Sequence, residues 1–189
     1  PTLRWTLLVV CFSSIALIGT WGSVQWIPVW VDQLAGETQP TAKAEVAMLS
    51  AMGAILGCVS GPLIGGRLGR RPAFFGLCFA SLVVCGVLFR VEMDYGTTFK
   101  YLVFFAGMTT AAFYGWFPLY LPELFPTRCR ATGQGIGYNM GRIMAACCAI
   151  GSGQLVAAFD GDYARMGAVI TLVYLVGMIM IWWAPETKG

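Results

Sequence analysis

Gln134, Tyr138 and Arg142 recur every fourth residue, with Asn139 beside them. On an α-helix this spacing puts an amide, a phenol and a guanidinium on one stripe. A guanidinium pairs with a carboxylate through two parallel hydrogen bonds, and the neighbouring phenol and amides can orient hydroxyl or amide groups. The chemistry on offer is recognition of a small anion rather than bond cleavage. Histidine is absent, and no carboxylate pair, HExxH, Ser/His arrangement or cysteine ligand set occurs. No catalytic residue, metal site or cofactor is therefore expected, and the chain is not read as an enzyme. The seven cysteines mostly lie in apolar runs without a CxxC pair and read as small buried hydrophobes.

The elements that must carry this stripe are membrane helices. Hydrophobic residues make up 58% of the chain and charged residues 11%, with a mean hydropathy of +0.72, which places it in the membrane class. The net charge of +3 is dispersed, and no basic block suited to a phosphate backbone occurs, so nucleic acid is not an expected partner. Six apolar runs are long enough to cross a bilayer at 1.5 Å per residue: Leu3 to Val31, Glu45 to Leu68, Pro72 to Val91, Phe99 to Leu121, Thr132 to Phe159 and Tyr163 to Ala184. A backbone in lipid must satisfy its own hydrogen bonds, and these runs lack barrel alternation, so the expected fold is an all-α integral membrane bundle of six transmembrane helices. The first run, with five more behind it, is too long for a signal peptide.

Arg142 lies about ten residues, or roughly 15 Å, into the fifth run, near mid-membrane. A charge there costs at least ~2.5–3.5 kcal/mol on insertion scales and should face the bundle interior or water. Two readings stay open: Arg142 meets the solute, or it snorkels towards a charge cluster at the helix end. Trp21 and Gln25 in the first run, and Thr110 and Tyr114 in the fourth, are each one turn apart and are further candidates for contact with a polar solute. Trp26, Trp30, Trp116, Trp182 and Trp183 lie near run ends and read as interfacial anchors.

Putting the N-terminus, the 66–72 and 121–131 loops and the C-terminus on one side gathers seven basic residues there against four on the other side. That side, with both termini, is expected to be cytoplasmic in a plasma (inner) membrane. The segment from Trp26 to Leu34 aligns with that from Trp116 to Leu124 at an offset of 90, and Gly61 falls on Gly151. Three runs separate the copies, so two inverted three-helix repeats, about 1–91 and 92–189, are expected within one bundle spanning 1–189. Gly53, Gly57, Gly61 and Gly65 form one four-residue row, and Gly133, Gly137 and Gly141 another. Such rows let helices approach closely, and these faces are expected to meet a missing half or a second copy.

Three motifs resemble a known family. Gly66-Arg-Leu-Gly-Arg-Arg71 is similar to the GxxxDRxGRR loop of the major facilitator superfamily, Pro122 to Arg130 with Gly133 to its PExFPTxxRxxG loop, and Pro185-Glu-Thr-Lys-Gly189 to its closing PETKG. Order, spacing and side all match the second six-helix half of a twelve-helix carrier, in the sugar-porter and metabolite:proton symporter branches, and lean towards organic acid carriers including those of sialic acid. The resemblance implies the C-terminal half of a secondary transporter that moves a small polar, anionic metabolite by alternating access. Membrane lipid, the solute, and an N-terminal half or a second copy are the implied partners. Pro1 in place of Met fits a half of a longer protein, a six-helix protein working as a homodimer being the other possibility. A non-transporting assembly or sensor module that kept the fold is the alternative from another class.

Gly66 stands where the family motif has an acid. The resemblance then implies that Glu123 pairs with Arg130 and joins Arg67, Arg70 and Arg71 in a cytoplasmic charge cluster that locks one state; the arginines are otherwise explained by side preference alone. Every acid lies in or beside a loop, so if the intact protein is a proton symporter its titrating residue is expected in the other half.

Overall fold

The computed structural model describes residues 2–91 and 93–187. Lys188 and Gly189 of the closing motif, Glu92 of the charge comparison and Pro1 lie outside the described residues. The described chain is all-helical: α1 (Thr2–Gly22), α2 (Ile27–Ala35), α3 (Ala42–Leu68), α4 (Arg70–Arg90), α5 (Thr97–Tyr120), α6 (Arg130–Ala158), α7 (Tyr163–Ile170) and α8 (Val173–Met180), with short 3₁₀ turns between several of them. They form six apolar spans, Leu3–Ala35, Ala42–Leu68, Arg70–Arg90, Thr97–Leu124, Thr127–Ala158 and Tyr163–Trp183. The fold expected from the sequence, an all-α bundle of six membrane-spanning helices, is the one observed. The first span runs longer than its apolar core because the break after Gly22 does not end it. Ser23 Oγ donates to the Gly19 carbonyl at 2.5 Å, the chain tightens through Val24–Trp26, and Pro28 in the first turn of α2 restarts the helix without losing a hydrogen bond it would have made.

Two turns depend on backbone that few residues adopt. Gly69, at φ +100°, reverses the chain between α3 and α4, and Asp160 and Gly161, at φ +56° and +88°, do so between α6 and α7. Asp162 then caps α7, accepting from the Arg165 amide at 2.9 Å.

The glycine rows are spent inside the chain. A methyl at Gly53, Gly57 or Gly61 would overlap the carbonyls of Phe104, Met108 and Ala112, and one at Gly65 would meet Trp116. The row on α3 therefore seats α3 on α5. Gly137 and Gly141 seat α6 on α1 against Val9 and Ser13, while Gly133 faces Phe125. These faces are thus not left open for a second half, as the sequence had suggested. The opposite faces are open instead: Met48, Met52, Ile55, Leu56, Val59 and Leu63 on α3 and Ile136, Met140, Ile143, Met144 and Ile150 on α6 are exposed. The repeat partners differ in setting too, since Gly61 is packed on α5 and Gly151 meets nothing.

Pro62 inside α3 removes the amide that would bond the Cys58 carbonyl. Gly115 of α5 lies directly against that carbonyl and the proline ring, so α5 covers the defect. The core is aromatic around Phe12, Phe74, Phe113, Trp116, Tyr120 and Tyr174. Trp116 is fully buried and packs on Phe74 and Tyr120, with centroids 4.9 and 4.7 Å apart, so it is a core residue rather than an interfacial anchor. Trp182 and Trp183 are exposed at the end of the sixth span.

Candidate functional site

Two recesses open on either side of α1 because the consecutive residues Thr20 and Trp21 point to different neighbours. The first, about 430 Å³, is lined by Thr20, Gln25, Ser50, Cys58, Thr110 and Tyr114 among others, between the first, second and fourth spans. Thr20 and Thr110 spend their protons on the carbonyls of Ala16 and Ala106, at 2.9 and 2.7 Å, and so offer only lone pairs. Gln25 is exposed, Ser50 is half-buried, and the buried Tyr114 hydroxyl closes no hydrogen bond; all three carry a side-chain donor at this recess. On its far wall Gly107 lies against the Ser50 backbone and brings α5 close to α3.

The second recess, about 350 Å³, is lined by Leu17, Trp21, Arg142, Ala145, Ala146, Ala149 and Ile150, between α1 and α6. Arg142 is exposed in it and makes no ion pair among the described residues. Tyr138 stands one turn away, its ring 6.0 Å from Phe117 and within electrostatic range of Arg142. The helical stripe read from the sequence is only partly assembled. Asn139 is exposed and donates to the Gly135 carbonyl at 2.8 Å, and Gln134, half-buried, lines neither recess. Gln25, Thr110 and Tyr114 share one recess, while Trp21 and Arg142 share the other. Thr20 and Ser50 were missed by sequence reading, for their small hydroxyls carry no pattern that separates recess from core.

At the arginine-rich end the charge cluster forms with different partners from those the motifs implied. Arg70 Nη2 and Nε donate to Glu123 Oε1 and Oε2 at 2.6 and 3.0 Å, and its Nη1 donates to the Gly65 carbonyl at 2.9 Å. Glu123 therefore takes Arg70 rather than Arg130, which is exposed and makes no ion pair among the described residues. The reason is reach: Arg70 opens α4 directly after the Gly69 turn, beside the end of α5, whereas Arg130 begins α6 beyond the turn at Thr127–Cys129. Thr187 also donates to Glu123. Glu186 accepts from the amides of Arg70 and Arg71 at 2.8 and 2.9 Å, so a carboxylate from the tail caps the N-terminus of α4, where the helix dipole favours it. Arg71 Nε holds the Ala184 carbonyl at 2.5 Å, and Tyr120 donates to that of Pro185 at 2.7 Å. The tail is thereby clasped to the third and fourth spans, and Arg67 also has an interaction partner.

The opposite end is tied by a second set. Tyr95 donates to Glu45 Oε2 at 2.6 Å, Lys100 pairs with the same oxygen at 2.9 Å, and Lys43 pairs with Asp32 at 3.4 Å. Burial, and then the bond to the Glu45 carboxylate, raise the Tyr95 phenol above its usual pKa.

Residues 1–149 match the family model of the Major Facilitator Superfamily. The chain belongs to the major facilitator superfamily. Among curated proteins, it is 27% identical over 182 residues to a Cupriavidus pinatubonensis protein described as "Probable 4-methylmuconolactone transporter", covering 95% of this chain and 42% of that one. It is 32% identical over 171 residues to the "Inner membrane metabolite transport protein YgcS" of Escherichia coli, covering 87% and 36%. Against the "Cis,cis-muconate transport protein" of Acinetobacter baylyi it is 29% identical over 130 residues, covering 68% and 30%. The chain spans less than half the length of these relatives. None of the three names refers to a sugar or to sialic acid. With six apolar spans and this membership, the chain is an integral membrane protein.

Proposed function

We propose that this chain is one six-helix half of a secondary transporter that carries a small polar organic anion across the inner membrane by alternating access. The observation that carries the reading is Arg142: a guanidinium in the middle of an apolar span, without an ion-pair partner among the described residues, set in a recess beside Trp21. A mid-membrane charge is costly and calls for a water-filled path or a charged ligand. The carboxylate of the solute docks on Arg142 beside the Trp21 ring, with Tyr138 one turn away, and Gln25, Tyr114 and Thr110 offer polar groups in the recess on the other side of α1. The carriers of 4-methylmuconolactone and cis,cis-muconate among the relatives support an organic acid as cargo.

The second wall of the path comes from an N-terminal six-helix half or a second copy, docked on the open apolar faces of α3 and α6, with lipid covering the rest. Both termini lie in the cytoplasm, the side richer in arginine. The chain consists of two inverted repeats, about 1–91 and 92–189, a reading supported by the helix pairing. The first span packs on the fifth and the second on the fourth, and an offset of 90 exchanges these two pairs. Arg70, Arg71, Glu123 and Glu186 tie the cytoplasmic ends together in one state of the cycle, with Arg67 and Arg130 at the margin. Uptake of labelled cis,cis-muconate and 4-methylmuconolactone into proteoliposomes tests the reading; saturable uptake supports it, and uptake no faster than into protein-free vesicles opposes it.

A further inference from the structure

A third recess, about 720 Å³ and larger than the two beside α1, opens between the first, third and sixth spans at the end away from the arginine-rich loops. Trp30, Phe89, Arg90, Asp94, Asp162 and Arg165 are among its lining residues. Span ends set its depth. Arg90 closes the third span and Arg165 lies in the first turn of the sixth, so the recess stands at the membrane–water interface, where arginine and tryptophan meet lipid headgroups. Its floor is aromatic and packed, with Trp30 between Phe89 and Phe99 at centroid distances of 5.7 and 5.3 Å.

Two of its charges are not spent within the described chain. Arg90 Nη2 donates to the Ala168 carbonyl at 2.6 Å, which ties the guanidinium to the sixth span yet leaves its charge uncompensated and its other donors available. Asp94 is exposed, and neither it nor Arg90 makes an ion pair among the described residues, with each other or elsewhere. Arg165 and Asp162 pair at 3.0 Å and together add no net charge. One cation and one anion thus line the same recess without meeting. A lone anion on Arg90 would be repelled by Asp94, and a lone cation on Asp94 by Arg90; a zwitterion satisfies both. Apolar stripes lead from the recess. Val83, Val87 and Val91 recur every fourth residue along α4, and Val169, Leu172 and Val176 follow Arg165 turn by turn along the sixth span; all six are exposed. The third and sixth spans pack on each other, so a charged recess at the interface continues into apolar surface at the depth of the acyl chains.

We infer that this recess binds the headgroup of a zwitterionic aminophospholipid, its phosphate on Arg90 and its ammonium on Asp94, with the acyl chains along the valine stripes. A soluble zwitterion would use the charges and leave the stripes uncovered, whereas a phospholipid uses both. In the orientation proposed above the lipid belongs to the outer leaflet. The site is separate from the recesses at Thr20 and Arg142 and does not depend on which solute is carried.

The test titrates delipidated protein in a neutral detergent with dioleoylphosphatidylethanolamine and with dioleoylphosphatidylglycerol, which keeps the phosphate and lacks the ammonium, and counts bound lipid by native mass spectrometry. The ethanolamine lipid should bind about 3- to 5-fold more tightly, the scale of one exposed ion pair. Asp94→Asn should abolish that preference, and Arg90→Gln should weaken both lipids alike. Asp94 is exposed and lies outside the helices, so its variant keeps the fold and decides the matter even where Arg90→Gln, which loses the bond to Ala168, does not fold. Equal affinity for the two lipids, a preference for the glycerol lipid, or an unchanged preference in Asp94→Asn overturns the inference. Glycerophosphoethanolamine, the same headgroup without chains, should fail to displace the lipid at equal concentration; displacement would make the occupant a soluble zwitterion and overturn the lipid assignment.

Discussion

Glu123→Gln tests the rewired charge cluster. The substitution keeps the side chain's shape and removes the charge that two Arg70 nitrogens meet at 2.6 and 3.0 Å. Exposure sets the magnitude. The Arg70 side chain is 11% exposed and that of Glu123 31%, so the pair is wetter than a buried ion pair and drier than a surface one. Exposed pairs contribute about 0.2–1 kcal/mol, and hydrogen bonds to charged groups about 1.5–3 kcal/mol. A coupling of about 1–2 kcal/mol follows, equivalent to about 5- to 30-fold in an equilibrium. A double-mutant cycle with Glu123→Gln and Arg70→Gln, read by denaturation in detergent, measures it. Arg130→Ala serves as the contrast and should lie within about 0.5 kcal/mol of wild type, as an exposed residue without an ion pair does. Additivity of the first two within about 0.3 kcal/mol, or a coupling of Glu123 to Arg130 instead, would refute the reasoning.

Glu186→Gln removes the carboxylate that caps α4 at the Arg70 and Arg71 amides and should cost about 0.5–2 kcal/mol, visible as faster proteolysis of the released tail. Gly57→Ala sets a methyl against the Met108 carbonyl; because backbone cannot yield as a side chain can, a loss of about 1–3 kcal/mol is expected, against a near-neutral effect for Gly76→Ala, which meets open space. Trp116→Ala should cost about 3–5 kcal/mol as a core truncation, whereas Trp183→Ala, at an exposed span end, should change the melting temperature little.

Membrane helices announce themselves through long-range composition, so all six spans were legible in the sequence. Their breaks were less so. The interruption at Ser23 and the division of the sixth span at Thr171–Leu172 sit inside apolar runs where hydropathy does not change. Spacing identified Gly53 to Gly65 as a close-packing row, yet could not say which helix fills it, since that depends on the order of helices around the bundle. The same limit applies to Glu123. Motif similarity brought the right charges to one end, but the choice of Arg70 over Arg130 depends on the Gly69 turn and on where α6 begins. Trp116 had the sequence context of an interface anchor and became core because Phe74 and Tyr120 close over it. Of the candidate site, a four-residue spacing grouped Gln134 and Tyr138 with Arg142, yet of the three only Arg142 lines a recess, because which side of a helix a recess opens on depends on its neighbours and not on its own sequence.

The central claim is that Arg142 receives the carboxylate of a transported organic acid. Its most direct test is the KM for cis,cis-muconate uptake in proteoliposomes, compared among wild type, Arg142→Gln and Arg142→Lys. A charge-assisted bidentate contact is worth about 1.5–3 kcal/mol, so Arg142→Gln should raise KM by about 10- to 100-fold, and Arg142→Lys, which restores the charge without the fork, should recover part of it. Unchanged KM in well-folded Arg142→Gln protein would contradict the account.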